Sequence, residues 1–162
     1  MTALVWENAF NLLMKNEGGY VNDPHDAGGE TKYGISKRAY PNEDIANLTI
    51  ERAKQIYKRD YWNKCKCDFL PDALSVAVFD FAVNSGVNRA IRFLQMALHV
   101  NVDGIIGNQT IGAANRLNPR RVLAEYMDRR LAFLMKQPNW RYYGRGWGNR
   151  INRTREFCNN LI

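Results

Sequence analysis

The chain is short of the residues that build metal clusters and disulfide frameworks. Its 162 residues include two histidines and three cysteines. An odd cysteine count without a secretory leader argues for free thiols. Cys65-x-Cys67 is too tightly spaced for a zinc knuckle and has no histidine close after it, so no metal is expected. No run approaches the roughly 18 unbroken apolar residues that a membrane span needs, so no stable membrane insertion is expected. Met1 to Glu7 carry no basic segment, and Glu7 and Lys15 interrupt the apolar positions. No secretory signal is therefore expected, and the expected location is the cytoplasm until something releases the protein. Internal repeats and low-complexity segments are also missing.

Acid is scarce in one half. Residues 73–162 hold 13 Lys/Arg against 5 Asp/Glu, net +8, whereas residues 1–72 hold 10 against 11, net −1; the sum is the overall +7. All basic residues of the second half except Lys136 are arginines. Such asymmetry implies an anionic partner: nucleic acid, a membrane face or an acidic cell-wall polymer. The hydrophobic fraction of 46% and aromatic fraction of 12% are those of a folded chain, and the length suits one compact unit with a real core.

Periodicity and punctuation predict a mainly α (α+β) fold. Leu4, Val5, Phe10, Leu12, Leu13 and Met14 approximate a helical stripe over 3–16, with Thr2 as N-cap and Gly18-Gly19 as stop. Turn signals at Asn22-Asp23-Pro24 and Gly28-Gly29 predict a small hairpin or two irregular strands within 20–35. Ser36 can cap a helical turn, and Thr49 a helix running to about Trp62. Ala73–Asn84 is apolar on all sides, the pattern of a buried central helix. Gly86 ends it, Asn88 is placed to cap a helix over 89–99, and 101–107 reads as a loop. Asn118-Pro119 opens a helix to about Gln137, and a last basic helix covers 151–160 after an aromatic, glycine-rich stretch at 140–148.

One segment concentrates chemistry. Glu17, Asp23, His25, Asp26 and Glu30 lie within a glycine-rich run with little to build a core from. Cleaving a glycosidic bond takes a proton for the leaving oxygen and a second carboxylate for the charge on the ring or for a water. Glu17, in the last turn of a helix, faces the negative end of the macrodipole, a setting that suits a proton donor. Asp26 follows beside Gly28-Gly29, and the Thr31 hydroxyl could hold a water on the far face of the sugar, an inverting arrangement. Asp23 rivals Asp26, with a turn before Pro24 as its alternative role. Glu30 is a weaker rival, and His25 could be an acid–base group or a turn residue. Tyr20 and Tyr33 could stack on sugar faces or pack in the core. Asn84 could bond an N-acetyl group or satisfy backbone at a helix end. The run Trp140 to Gly148 interleaves aromatics and arginines, as single-stranded nucleic-acid binders do, but no groove-reading motif accompanies it.

Glu17-Gly18-Gly19-Tyr20 followed by Asp26-x-Gly28-Gly29-x-Thr31-x-Tyr33-Gly34-Ile35-Ser36 resembles the N-terminal motif of glycoside hydrolase family 108. Those proteins are lysozyme-like N-acetylmuramidases of phage endolysins and of bacterial proteins once labelled secretion activators. The Glu, Asp, Thr order also resembles the catalytic triad of phage-type lysozymes. Downstream, Asp80-Phe81-Ala82-Val83-Asn84-Ser85-Gly86, Leu94-Gln95 and Val102-Asp103-Gly104-Ile105-Ile106-Gly107-x-x-Thr110 are similar to the peptidoglycan-binding half of that family. The resemblance implies a lysozyme-like helical bundle with a small N-terminal β-hairpin. Residues 1–70 would form a catalytic lobe and 71–162 a helical peptidoglycan-binding lobe, packed as one unit. It implies Glu17 as catalytic acid, with Asp26 and Thr31 positioning or activating water, on the β-1,4 bond between N-acetylmuramic acid and N-acetylglucosamine. Tyr20, Tyr33 and Asn84 would contact the sugar. The expected partner is the peptidoglycan glycan strand rather than nucleic acid, with no cofactor and a monomeric chain. A lytic transglycosylase and a non-catalytic peptidoglycan-binding secretion accessory are the alternatives.

Overall fold

Helix α3 (Asp72–Ser85) is the axis around which the other elements pack. Ala73 to Ala82 are buried on every side, including the polar Ser75 and Asp80. Helices α1 (Thr2–Asn16), α4 (Val87–Leu98), α6 (Pro119–Met135) and α7 (Trp140–Asn159) all contact it. The computed structural model describes residues 2–17, 19–22 and 29–162, with side chains from residue 4 onward. Gly18 lies outside what it describes, and Thr2 stands within α1 rather than ahead of it as a cap. The fold is mainly α, with one small antiparallel sheet, as the sequence pattern predicts. Among the described residues no helix is long and apolar enough to cross a membrane.

Helix α1 buries Val5, Trp6, Ala9, Phe10, Leu12 and Leu13. Trp6 meets Phe79 of α3 edge-on, with ring centroids 5.3 Å apart, and Trp62 at 5.2 Å. Burial of each such side chain stabilises the fold by roughly 1.5–3 kcal/mol. The Thr49 hydroxyl accepts from Arg52 N at 3.1 Å and starts α2 (Ile50–Tyr57), which continues as a π-helical turn over Lys58–Trp62. The Ser36 hydroxyl accepts from Ala39 N at 3.2 Å and caps a turn. The expected hairpin gains a third strand, in the order β1 (Val21–Asn22), β2 (Glu30–Lys32), β3 (Ile35–Ser36). Val21 pairs with Thr31, and Thr31 with Ser36.

Two boundaries depart from the sequence pattern. Asn88 does not cap α4. Gly86 adopts φ 103°, open only to glycine without strain, so the helix starts at Val87. Asn88 sits in its first turn and accepts from Arg92 Nε at 2.8 Å. The second departure is α7, a single 20-residue helix that absorbs the aromatic stretch and its three glycines. A Cβ at Gly144 would lie 2.7 Å from Trp140 Cε2, so the missing side chain lets the indole fold onto the helix backbone. Trp147 is then tilted against Trp140 and stacked on Tyr143, at 6.1 and 5.7 Å between centroids. Each glycine costs a helix about 1 kcal/mol, and packing of α7 on α3 and α6 offsets that here.

The loop from Asn101 to Gly107 has its own anchor. Gln95 is buried on α4, and its Nε2 donates to Asp103 Oδ1, Ile105 O and Thr110 Oγ1 at 2.9, 3.0 and 3.1 Å. Its Oε1 accepts from the backbone N–H of Asp103 and Gly104 at 3.1 and 2.9 Å. The Asp103-Gly104 motif is therefore architectural, joining α4 to α5 (Asn108–Arg116). Cys65, Cys67 and Cys158 are free and buried, and burial pushes the Cys158 thiol up to about 12, which keeps it unreactive. Replacing Gln95→Leu removes all five bonds and leaves two loop N–H groups unpartnered. The expected loss is about 3 kcal/mol of unfolding free energy by urea denaturation. A loss below about 1 kcal/mol would mean that the loop holds itself.

Candidate active site

Helix α1 delivers Glu17 to the edge of the sheet. The Glu17 N–H still donates to Leu13 O at 3.1 Å, so the residue holds the helical path one step past Asn16. Opposite it, β2 and β3 are joined by the two-residue loop Tyr33-Gly34, with φ 53° and 78°. Positive φ at both positions is what a type I′ hairpin loop requires. The loop lies directly against the glutamate: a Cβ at Gly34 would fall 2.8 Å from Glu17 Oε2 and 2.5 Å from the Tyr57 hydroxyl. The same hydroxyl donates to Tyr33 O at 2.7 Å. Burial, then the Glu17 carboxylate, push the Tyr57 phenol well above its ordinary range, so it remains a donor.

On the helical side Glu17 meets Arg150, with Nη1 3.5 Å from Oε1. Arg150 spans to Asp80, Nη2 to Oδ1 at 3.1 Å and Nε to Oδ2 at 3.3 Å. Burial works against the Arg150 charge, but Asp80 and Glu17 outweigh it and raise its affinity for the proton. Asp80 is also buried, and burial alone would favour its neutral form; Arg130 and Arg150 overcome that and hold its carboxyl below the usual range. Arg130 is fully buried with Nη1 2.8 Å from Asp80 Oδ2. That contact is one of charge, since none of the guanidinium N–H groups is aligned with a partner for a hydrogen bond. The Phe81 ring lies 5.1 Å from the guanidinium carbon. Thr154 Oγ1 lies 3.3 Å from Asp80 Oδ2 and donates to Arg150 O at 2.9 Å.

The other sequence candidates fall around this centre. Asp26, Asp23 and His25 lie outside the described residues. Thr31 is the middle residue of β2 and its hydroxyl donates to Gly29 O at 3.5 Å. Tyr20 is exposed just before β1, and its hydroxyl donates to Glu30 Oε2 at 2.7 Å, which gives Glu30 a partner on the sheet. Tyr33 forms the loop beside Glu17, with its ring packed partly against the core and Lys32 Nζ 5.4 Å from the ring centroid. Asn84 sits one turn beyond Asp80 on α3, accepting from Ser85 Oγ at 3.1 Å. Among the described residues Glu17 makes no direct hydrogen bond to Thr31, Tyr20 or Asn84. His99 ends α4 at φ 57°, a helix-end residue as expected. Arg150, Arg130 and Tyr57 escaped the sequence reading. Asp80 left one signal, as an acid in an otherwise apolar helix.

The helical bundle with its small antiparallel sheet is a lysozyme-like, mainly α fold. Residues 10–86 match the family described as Glycosyl hydrolase 108, and residues 89–152 the one described as Predicted Peptidoglycan domain. The solved structure titled "Structure of Brucella abortus SagA" superposes with a TM-score of 0.86 at 34% identity, over 96% of this chain and 94% of that one. No curated protein matches. The chain belongs to glycosyl hydrolase family 108, and the two matched regions together make it a peptidoglycan hydrolase.

Two substitutions probe the geometry. Asp80→Asn leaves Arg130 as a buried charge without a counter-ion, and the expected cost is about 3–5 kcal/mol by chemical denaturation. The folded-state proton affinity of Asp80 is lowered, so its contribution is present above the unfolded value near 3.9 and is lost as pH falls through the folded value. The gap between parent and Asp80→Asn should therefore narrow below about pH 4; a constant gap would remove the carboxylate's charge as its cause. Gly34→Ala puts a methyl between Glu17 and Tyr57 at a positive φ. It should cost about 1–3 kcal/mol and depress turnover on purified sacculi more than its stability loss explains.

Proposed function

We propose that this protein is an N-acetylmuramidase that hydrolyses the β-1,4 bond between N-acetylmuramic acid and N-acetylglucosamine, with Glu17 as the general acid. The observation that carries the reading is the seat of Glu17. Its carboxylate is held at the helix–sheet junction by Arg150 on one side and the Gly34 turn on the other, within the family-matched segment. A proton donor needs a fixed geometry relative to the leaving oxygen, and two rigid neighbours supply it.

In this mechanism Glu17 gives its proton to the glycosidic oxygen as the bond to the anomeric carbon breaks. The carbon develops oxocarbenium character, and a water held by the Thr31 hydroxyl and deprotonated by Asp26 adds to it from the opposite face. The two carboxyl groups return to their starting states by exchanging protons with solvent. Tyr20, Tyr33 and Asn84 would line the path of the strand. Residues 1–70 supply the catalytic side and 71–162 the wall-binding side. The basic second half suits the acidic wall polymer. An endolysin-type role follows, in which a monomer made in the cytoplasm acts on the wall after release.

Glu17→Gln should lower product release from purified sacculi by roughly a thousandfold with the circular dichroism spectrum unchanged. Retained activity would end the proposal. Thr31→Val should cost about tenfold or more in kcat. Mass spectrometry of the products separates the chemistries: reducing muramyl ends are expected, whereas anhydro-muramyl ends would make the protein a lytic transglycosylase that needs no Asp26. Binding to sacculi with no soluble product would leave only the secretion-accessory reading.

A further inference from the structure

Past the Asp80–Arg150 contact the seam between α3 and α7 continues, and residues of both helices line a cleft. Asn84 lies four residues past Asp80 on α3, and Trp147 three residues before Arg150 on α7. Both therefore occupy the next layer of the same seam, about 5.4 Å along. A cleft of about 250 Å³ lies there, lined by Asn84, Ser85, Arg89, Phe133, Gln137 and Trp147.

Its lining is a specific set of chemistries. Asn84 and Gln137 each present an amide that can both donate and accept. Gln137 commits one N–H to Phe133 O at 3.2 Å, leaving its carbonyl for another partner. Trp147, stacked on Tyr143, offers an amphipathic indole that suits the C–H face of a sugar. Arg89 is the notable member. It is exposed, its guanidinium carbon lies 4.3 Å from the Phe133 ring centroid, and Nη1 donates to Ser85 O at 3.1 Å. These contacts fix the guanidinium in place, and among the described residues no carboxylate neutralises it. From Ser85 and Arg89 a second hollow, about 460 Å³, leads on past Arg92 to Met96.

We propose that this cleft binds an N-acylated amino sugar carrying an acidic side arm, next along the strand from the unit at Glu17. Asn84 and Gln137 read the acyl amide, Trp147 covers the sugar face, and Arg89 takes a carboxylate of the arm. The hollow past Arg92 gives that arm an exit. A fixed, uncompensated guanidinium on an aromatic ring is suited to bind a carboxylate in two-point fashion. The proposal rests on the glycan-cleaving reading, and it gives Arg89 a role in discriminating a muramyl unit from a neutral one.

The test uses the full chain carrying Glu17→Gln, titrated calorimetrically with three soluble probes. These are an uncharged N-acetylglucosamine oligomer, a peptide-free muroglycan oligomer that keeps its lactyl carboxylates, and the same oligomer with its acidic peptides. At least one charged probe should bind about tenfold more tightly than the neutral one. Adding Arg89→Gln should erase that preference while leaving the neutral oligomer unaffected, and Asn84→Ala should weaken all three. A preference confined to the peptide-bearing probe assigns the carboxylate to the peptide; one shared by both assigns it to the lactyl group. A preference that survives Arg89→Gln overturns the proposal, as does the lack of any preference for either charged probe before that substitution. Wild-type hydrolysis of sacculi is read separately. Cleavage with Arg89-independent binding sinks only the subsite, and Arg89-dependent binding without cleavage sinks only the hydrolase.

Discussion

The structure turns on one buried carboxylate. Asp80 sits in the most apolar helix of the chain and holds two arginines that arrive from different helices, Arg130 on α6 and Arg150 on α7. Taking such charges out of water costs several kcal/mol per ion, and mutual attraction offsets that only when the partners stay in place. Arg130 shows how close the balance is, for its N–H groups are not aligned with acceptors and its charge is met by proximity to Asp80 and the Phe81 ring. The triad therefore ties α3, α6 and α7 together. A hydrophobic residue at Asp80 could fill the space but could not specify that alignment.

That alignment reaches the catalytic end through Arg150. Its guanidinium spans from Asp80 to Glu17, so a charge network in the core sets the position of a carboxylate at the surface of the junction. From the other side the Tyr33-Gly34 loop and the Tyr57 hydroxyl close on the same glutamate. Glu17 is thus held between α7 and the sheet, with Tyr57 of α2 bracing the loop through Tyr33 O, none adjacent to it in sequence. Away from the site, Gln95 performs a comparable task for the basic half, pinning the loop between α4 and α5 with five hydrogen bonds. That segment reads as a loop in sequence, and the contacts of Asp103 and Gly104 are internal, as a loop anchor requires.

Much of this was legible in the linear chain because it depends on local chemistry. Thr49 caps α2 and Asn118 caps α6, since a side-chain oxygen needs only the backbone N–H groups beside it. The all-round apolar pattern of α3 announced a central helix, whereas the tight turn at Tyr33-Gly34 went unread, because the turn signals pointed to Asn22-Asp23-Pro24 and Gly28-Gly29. Asn88 misled because Gly86, through a backbone angle closed to other residues, moved the start of α4 ahead of it. The glycines of α7 misled because intrinsic helix propensity is weak against packing, and Trp140 folded over Gly144 uses the absence that looked like a break.

The sequence by itself determined the helical composition, the positions of most caps, the basic character of the second half and the glutamate at the end of α1. Each follows from side chains acting within a turn or two of their own backbone. Only the tertiary structure decided which charges meet. Arg150 is 133 positions from Glu17 and 70 from Asp80, and no periodicity links residues so far apart. The arginines of the second half look alike in sequence; burial against Asp80 makes two of them structural, and exposure beside the Asn84 cleft leaves Arg89 with a charge still to be met.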